Sequence, residues 1–201
     1  PDWNAVLGHE LRSPVAAILG YQELLDEGTL GPLPDTAADA LRRIRFAATQ
    51  LITLIDAVEG SSNGQDAEAV PARDLIHDAL STVRFEAEGR GTLLRTDDAD
   101  VDLFTRRTDA CRALALILGA AVKVTPGGTL RVSARDADEP QITVTGSGLD
   151  PARDRLAHNR PLTGAGLRLE LAGAAAARVS GTADLLPGGT VQLRLPRLSS
   201  T

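Results

Sequence analysis

Residues 7–25, LGHELRSPVAAILGYQELL, decide the fold of the first part of the chain. Leu7, Leu11, Pro14, Ile18, Tyr21 and Leu25 recur at spacings of 4, 3, 4, 3 and 4. That is the heptad seam of helices packed side by side. A second seam follows at Leu41, Ile44, Ala48, Leu51, Ile55 and Val58, spaced 3, 4, 3, 4 and 3. Between them, Glu27-Gly28-Thr29-Leu30-Gly31-Pro32-Leu33-Pro34 cannot remain helical, because its glycines and prolines break the chain and let it turn back. Asp35 is the expected N-cap of the second helix. The result is an antiparallel hairpin. Two helices alone cannot bury both seams and the flanking Val6, Val15, Leu24 and Ile52. Pairing with a second copy into a four-helix bundle solves the burial problem, so a homodimer is expected. The alternative is that the hairpin packs on the rest of its own chain.

Outward from the hairpin, Gly60-Ser61-Ser62-Asn63-Gly64-Gln65-Asp66 reads as a polar linker. It divides the chain into a hairpin domain, residues 1–62, and a second domain, residues 63–201. In the second, Ala72 to Glu88 reads as a helix with Pro71 near its start. Thr92 to Thr96 and Val101 to Thr105 are short strands, and Asp109 to Val124 is an apolar helix. Alternating strands follow at Thr129 to Arg135 and Gln141 to Thr145, then a glycine-rich loop and a helix from Gly166 to Val179. Strands Gly181 to Leu186 and Thr190 to Leu195 close the chain around a Pro187-Gly188-Gly189 turn. The expected fold class is α+β: a helical hairpin followed by a two-layer α/β sandwich.

The bulk composition excludes several classes. The 201 residues carry a formal charge of -6, which argues against a general nucleic-acid binder. Aromatics make up only 2%, so the cores must be built from Leu, Ile, Val and Ala. No apolar run approaches the length of roughly 18 residues that spans a bilayer, and no signal peptide opens the chain, so a cytoplasmic protein with no membrane segment is expected. The chain begins abruptly at Pro1 in a helical pattern, as expected of a fragment with a sensor region upstream. The lone Cys111 lies in an apolar helix and is expected to be packed rather than reactive. No Cys/His/Asp spacing suggests a metal site. His77 and His158 fit no site.

His9 lies two residues after Leu7, about 200° round the helix, and so faces water. His9-Glu10-Leu11-Arg12-Ser13-Pro14 resembles the H-box of sensor histidine kinases at all six positions. The resemblance covers residues 1 to 60 and implies that His9 accepts a phosphoryl group. The attacking imidazole nitrogen needs its lone pair, so the other nitrogen carries the proton. Glu10 matches the family's acid, which accepts that proton as charge develops. Ser13 is one helical turn from His9, where the family often places a Thr or Asn that orients water for phosphatase chemistry. Ser is a weaker match. Pro14 removes a backbone hydrogen bond and is expected to bend the helix.

Residues 66 to 198 resemble the Bergerat-type ATPase domain of the same family, in eroded form. Arg112 to Gly128 looks like the N-box, whose metal-holding Asn is matched by Ala120 and whose upstream Asn is matched by Leu116. Ala has no oxygen to offer a hard cation. Lys123, Thr125 and Pro126 do match. Ile142 to Asp150 looks like the G1 box, in which Gly146 and Gly148 survive but the adenine-binding Asp is matched by Val144. An adenine amino group facing Val would lose a partner, at a cost of ~1–3 kcal/mol. Gly164-Ala165-Gly166-Leu167-Arg168-Leu169 looks like the G2 box, with Gly164 and Gly166 in place and the third glycine replaced by Arg168. An Arg there could still pair with phosphate. Leu149 to Thr163 is short for the family's ATP lid and holds no Phe.

A kept H-box beside a damaged nucleotide site points to a dimeric phosphotransferase, or pseudokinase, that needs no cofactor. Its His9 would exchange phosphate with the receiver domain of a response regulator, or receive it from another histidine kinase. The docking face would lie on the first helix and include Arg12 and Ala16. Two alternatives stand: an active autokinase with a divergent Mg-ATP site, and a non-catalytic scaffold that docks a regulator or kinase.

Overall fold

The computed structural model describes residues 3–29, 31–59, 66–97, 99–150 and 164–196. The chain forms two compact units, Pro1–Ser61 and Ser62–Thr201. The expected linker and the lid segment fall largely outside the described residues, as does His158.

The first unit is a hairpin of α1 (Trp3–Asp26) and α2 (Asp35–Glu59). Helix α1 runs through Pro14 without a break. The turn is closed by Thr29 N–H donating to Leu24 and Gly31 N–H donating to Gly28, with Gly31 at φ 102°. Asp35 is not the cap: it is the first helical residue, and the Pro34 carbonyl accepts from both Ala37 and Ala38. Proline suits this place because its fixed φ favours the turn into a helix.

The contact face of the hairpin keeps Ala48 and Ile55 of the expected α2 seam but departs from the expected seam on α1. Val15, Ala48 and Ile55 are its buried centre, with Leu19 and Ile52 packed against them. Gly8, Val15 and Gln22, seven residues apart, bury the inner side of α1. Leu7, Leu11, Ile18 and Tyr21 of the first heptad seam, and Ile44 and Leu51 of the second, face solvent instead. Each helix therefore carries two apolar stripes. One is used against its hairpin mate, and the Leu-rich one on α1 is exposed within the described hairpin.

The second unit layers three helices on a sheet. Its helices are α3 (Ala72–Gly89), α4 (Arg107–Val124) and α5 (Ala165–Arg178). Its strands are β1 (Glu68–Pro71), β2 (Leu93–Thr96), β3 (Asp102–Thr105), β4 (Thr129–Arg135), β5 (Gln141–Gly146), β6 (Thr182–Leu186) and β7 (Thr190–Arg194). The main sheet has the order β2-β4-β5-β7-β6, with β2 parallel to β4 and the other neighbours antiparallel. Strands β1 and β3 form a separate antiparallel pair, Glu68 opposite Thr105 and Pro71 opposite Asp102.

Alternation fixes which face is covered. Leu130, Val132 and Ala134 of β4, Ile142 and Val144 of β5, and Val191 and Leu193 of β7 are buried. Leu75, Ile76, Ala79 and Val83 of α3 and Ala172, Ala175 and Ala176 of α5 form the helix layer with α4. Every residue from Ala113 to Val122 is buried, so α4 is enclosed on all sides. Fully burying a Leu or Ile contributes about 1.5–3 kcal/mol, and the small Ala side chains let α4 and α5 approach closely. No helix among the described residues is long and apolar enough to cross a membrane.

Candidate functional site

His9 sits two turns into α1 with its side chain 82% exposed. The ring lies off the buried Gly8/Val15/Gln22 line because one residue of helix turns it by about 100° from Gly8. Its Nδ1 is 3.8 Å from Glu10 Oε1, and Glu10 is itself exposed. That separation is too long for a hydrogen bond, and it places a carboxylate beside the exposed ring. Ser13, one turn on, is exposed. Arg12, named on the expected docking face, is partly exposed and reaches across the hairpin to the carboxylate of Asp56 on α2. It ties the two helices together within one turn of His9. Ala16 remains exposed.

In the second unit, the positions singled out around the glycine boxes come together where α4 ends. Ala120 is fully buried, Val144 is buried on β5 and Leu116 is buried on α4. None of the three presents an oxygen to a hard cation or an adenine amino group. Lys123 is half-buried in the last turn of α4. Burial, and next the neighbouring Arg168, push its ammonium below the usual lysine range. Gly164, which opens α5 at φ 63°, would place a Cβ 3.8 Å from Lys123 Nζ.

The glycines of the first box are closely packed. A Cβ on Gly148 would lie 1.9 Å from the carbonyl oxygen of Val124, and one on Gly146 would lie 2.4 Å from Leu130 Cδ2. Gly166 is buried near the start of α5.

Arg168 is buried, with Nη1 donating to Glu86 Oε2 of α3 at 2.8 Å. Glu86 Oε1 is 3.4 Å from Nε of Arg90, so both carboxylate oxygens meet a cation. Low surrounding polarity explains the inward turn. A guanidinium leaving water needs a charged partner, and Glu86 supplies it. Glu86 gave no signal in the sequence, since it lies 82 positions before Arg168. Deleting Glu86 would take a charged partner from the buried guanidinium, whereas deleting Arg168 would leave Glu86 still facing Arg90.

Cys111 is half-buried, and burial raises its thiol to about 11. His77 is an exposed residue of α3. Among the described residues, no group of three or more His, Cys, Asp or Glu side chains could hold a metal ion.

An exposed histidine with an adjacent carboxylate, on a hairpin that precedes this sandwich, defines a histidine-kinase-type protein of two-component signalling. Comparison with known proteins agrees. Residues 2–63 match the His Kinase A (phospho-acceptor) domain. Histidine protein kinase DivJ of Caulobacter vibrioides is 29% identical over 223 aligned positions, covering 96% of this chain and 37% of that protein. The non-motile and phage-resistance protein of the same organism is 28% identical over 170 positions, covering 78% of this chain and 20% of its own length. The full-length structure of ShkA, solved in complex with AMPPNP, shares the fold at a TM-score of 0.61 and 21% identity, over 98% of this chain and 46% of that one. Histidine kinase AdeS of Acinetobacter baumannii does so at 0.61 and 16% identity, over 95% and 98%. The chain is similar to sensor histidine kinases, with residues 2–63 matching the phospho-acceptor domain, and it spans well under half the length of these two Caulobacter relatives.

Proposed function

We propose that this chain is a dimeric phosphotransfer module. In this reading His9 takes a phosphoryl group from a receiver-domain aspartate, or from another kinase, and passes it on, without ATP in its own sandwich. One contrast carries the reading. The H-box histidine is held in water beside its carboxylate, while the positions that match the family's metal and adenine ligands are buried aliphatic side chains.

In the transfer step, His9 Nε2 attacks the phosphorus of an aspartyl phosphate in line. The P–N bond forms, the P–O bond to the aspartate breaks, and the carboxylate leaves with the electron pair. Glu10 stabilises the positive charge that grows on the imidazole and can take the Nδ1 proton. The transfer is reversible, so the same atoms serve donation to a second receiver domain.

The dimer supports this reading in two ways. The phospho-acceptor domain family is generally dimeric, and Leu7, Leu11, Ile18, Tyr21, Ile44 and Leu51 form apolar stripes suited to a second copy.

The test is calorimetry with millimolar Mg-ATP, followed by transfer of label from a phosphorylated receiver domain. No heat of nucleotide binding and clear labelling of the protein are expected. A saturable Mg-ATP isotherm would overturn the ATP-independent reading. A second reading, an ATP-dependent autokinase, draws support from the name of the DivJ relative and from Lys123, Gly146 and Gly148 standing where the family has them. It requires ATP-dependent labelling of His9 by the purified protein alone.

A further inference from the structure

Leu116, Gly119, Ala120 and Lys123 follow one another at helical spacing and share one face of α4. This is the face on which the resembling N-box carries its polar ligands. Arg168 lies against it. A Cβ on Gly119 would be 2.2 Å from Arg168 Nη1 and 3.1 Å from Cζ, so the missing side chain is a notch that the guanidinium fills. From the other side Glu86 of α3 holds the same Nη1 at 2.8 Å. Two cationic side chains, Arg90 and Arg168, thus meet a single carboxylate, and Lys123 feels the charge of both Glu86 and Arg168. A divalent cation brought to this face would meet a fixed guanidinium of like charge in a poorly screened place. A nucleotide's phosphates would find that guanidinium already paired and turned inward.

We propose that Arg168, seated on Glu86 across Gly119, is a built-in plug that shuts the nucleotide cleft, and shuts it whatever side chains stand at positions 120 and 144. This rests on the reading that the sandwich does not bind ATP. It goes further, because it assigns the closure to one substituted glycine of the G2 box and to the notch that receives it, and not to the missing ligands alone.

Two measurements test it. The first compares Mg-ATP binding by calorimetry in the unsubstituted chain, in Ala120→Asn/Val144→Asp, and in those two changes combined with Glu86→Gln/Arg168→Gly. The last pair removes both charges together, so that neither is left buried alone. The two polar changes alone are expected to leave the protein blind to nucleotide. The four together should bind, at least about tenfold more tightly. Equal binding by the two-change and four-change proteins would overturn the plug and leave the ATP-independent reading intact. So would a folded four-change protein that binds nothing. Binding by the unsubstituted chain would strike the ATP-independent reading, before any substitution is made.

The second measurement needs no nucleotide. Gly119→Ala should lower the melting temperature of the unsubstituted chain, because its methyl group meets the guanidinium. In the Glu86→Gln/Arg168→Gly background the same change should raise it, since Ala favours a helix interior over Gly. A shift of the same sign and size in both backgrounds would show that the guanidinium does not occupy the notch, and would overturn the proposal.

Discussion

The two units handle apolar surface in opposite ways. The hairpin leaves Leu7, Leu11, Ile18, Tyr21, Ile44 and Leu51 exposed, and it holds its chemistry on the surface at His9. The sandwich encloses α4 on every side and draws even Arg168 and Glu86 out of water. A unit that must meet partners keeps both an apolar stripe and a nucleophile accessible. A unit with aliphatic side chains at Leu116, Ala120 and Val144 gains in packing at those positions.

That contrast can be broken most sharply at His9. His9→Gln should abolish label transfer from a phosphorylated receiver domain while the far-UV circular dichroism stays unchanged, because the side chain touches little. Labelling equal to the unsubstituted protein would place the acceptor elsewhere. Next in size is the core of the sandwich. Leu118→Ala, at a fully buried position of α4, should cost about 2–5 kcal/mol in denaturant unfolding. Phosphorylation of His9 should survive under conditions where the variant sandwich is still folded. A cost below about 1 kcal/mol would mean that α4 is not enclosed as described.

On the hairpin side, Ile18→Lys should shift sedimentation from dimer towards monomer, since it puts a charge into the exposed stripe. A lasting dimer would mean that another surface holds the copies together. The smallest effect concerns Cys111. With its thiol raised by burial from the ordinary 9.0 to about 11, the folded protein should hold less thiolate than the unfolded chain between those values. Alkylation at pH 9 should therefore be slow in the folded state, speed up as pH approaches 11, and be fast in denaturant. Equal rates at pH 9 in both states would contradict the burial of that sulfur.

Much of the fold is legible in the sequence, for reasons that differ by element. Strands β4 and β5 are readable because one face is buried and the alternation is strict. Helix α4 is readable from its unbroken apolar run. Strand β1 is not, because it has four residues, buries Val70 alone and ends in Pro71. The hairpin seam is half legible. A bundle helix carries two stripes, and the Leu-rich one dominates the heptad count although the Gly8/Val15/Gln22 line makes the contact within the chain. At the site, His9 and Glu10 are readable because their role is local to one turn of helix. The path of Arg168 is not, since it depends on Glu86 from a distant helix and on the missing side chain of Gly119, neither of which has a local signature.

Gly148 has a consequence for how such chains are read. Its α-carbon sits so near the peptide oxygen of Val124 that any larger residue would push the end of α4 off the β5 loop. Mechanical fit alone is therefore enough to require a glycine here, whether or not a nucleotide binds. A motif letter can outlive its chemistry, and a retained glycine here testifies to architecture before it testifies to a ligand.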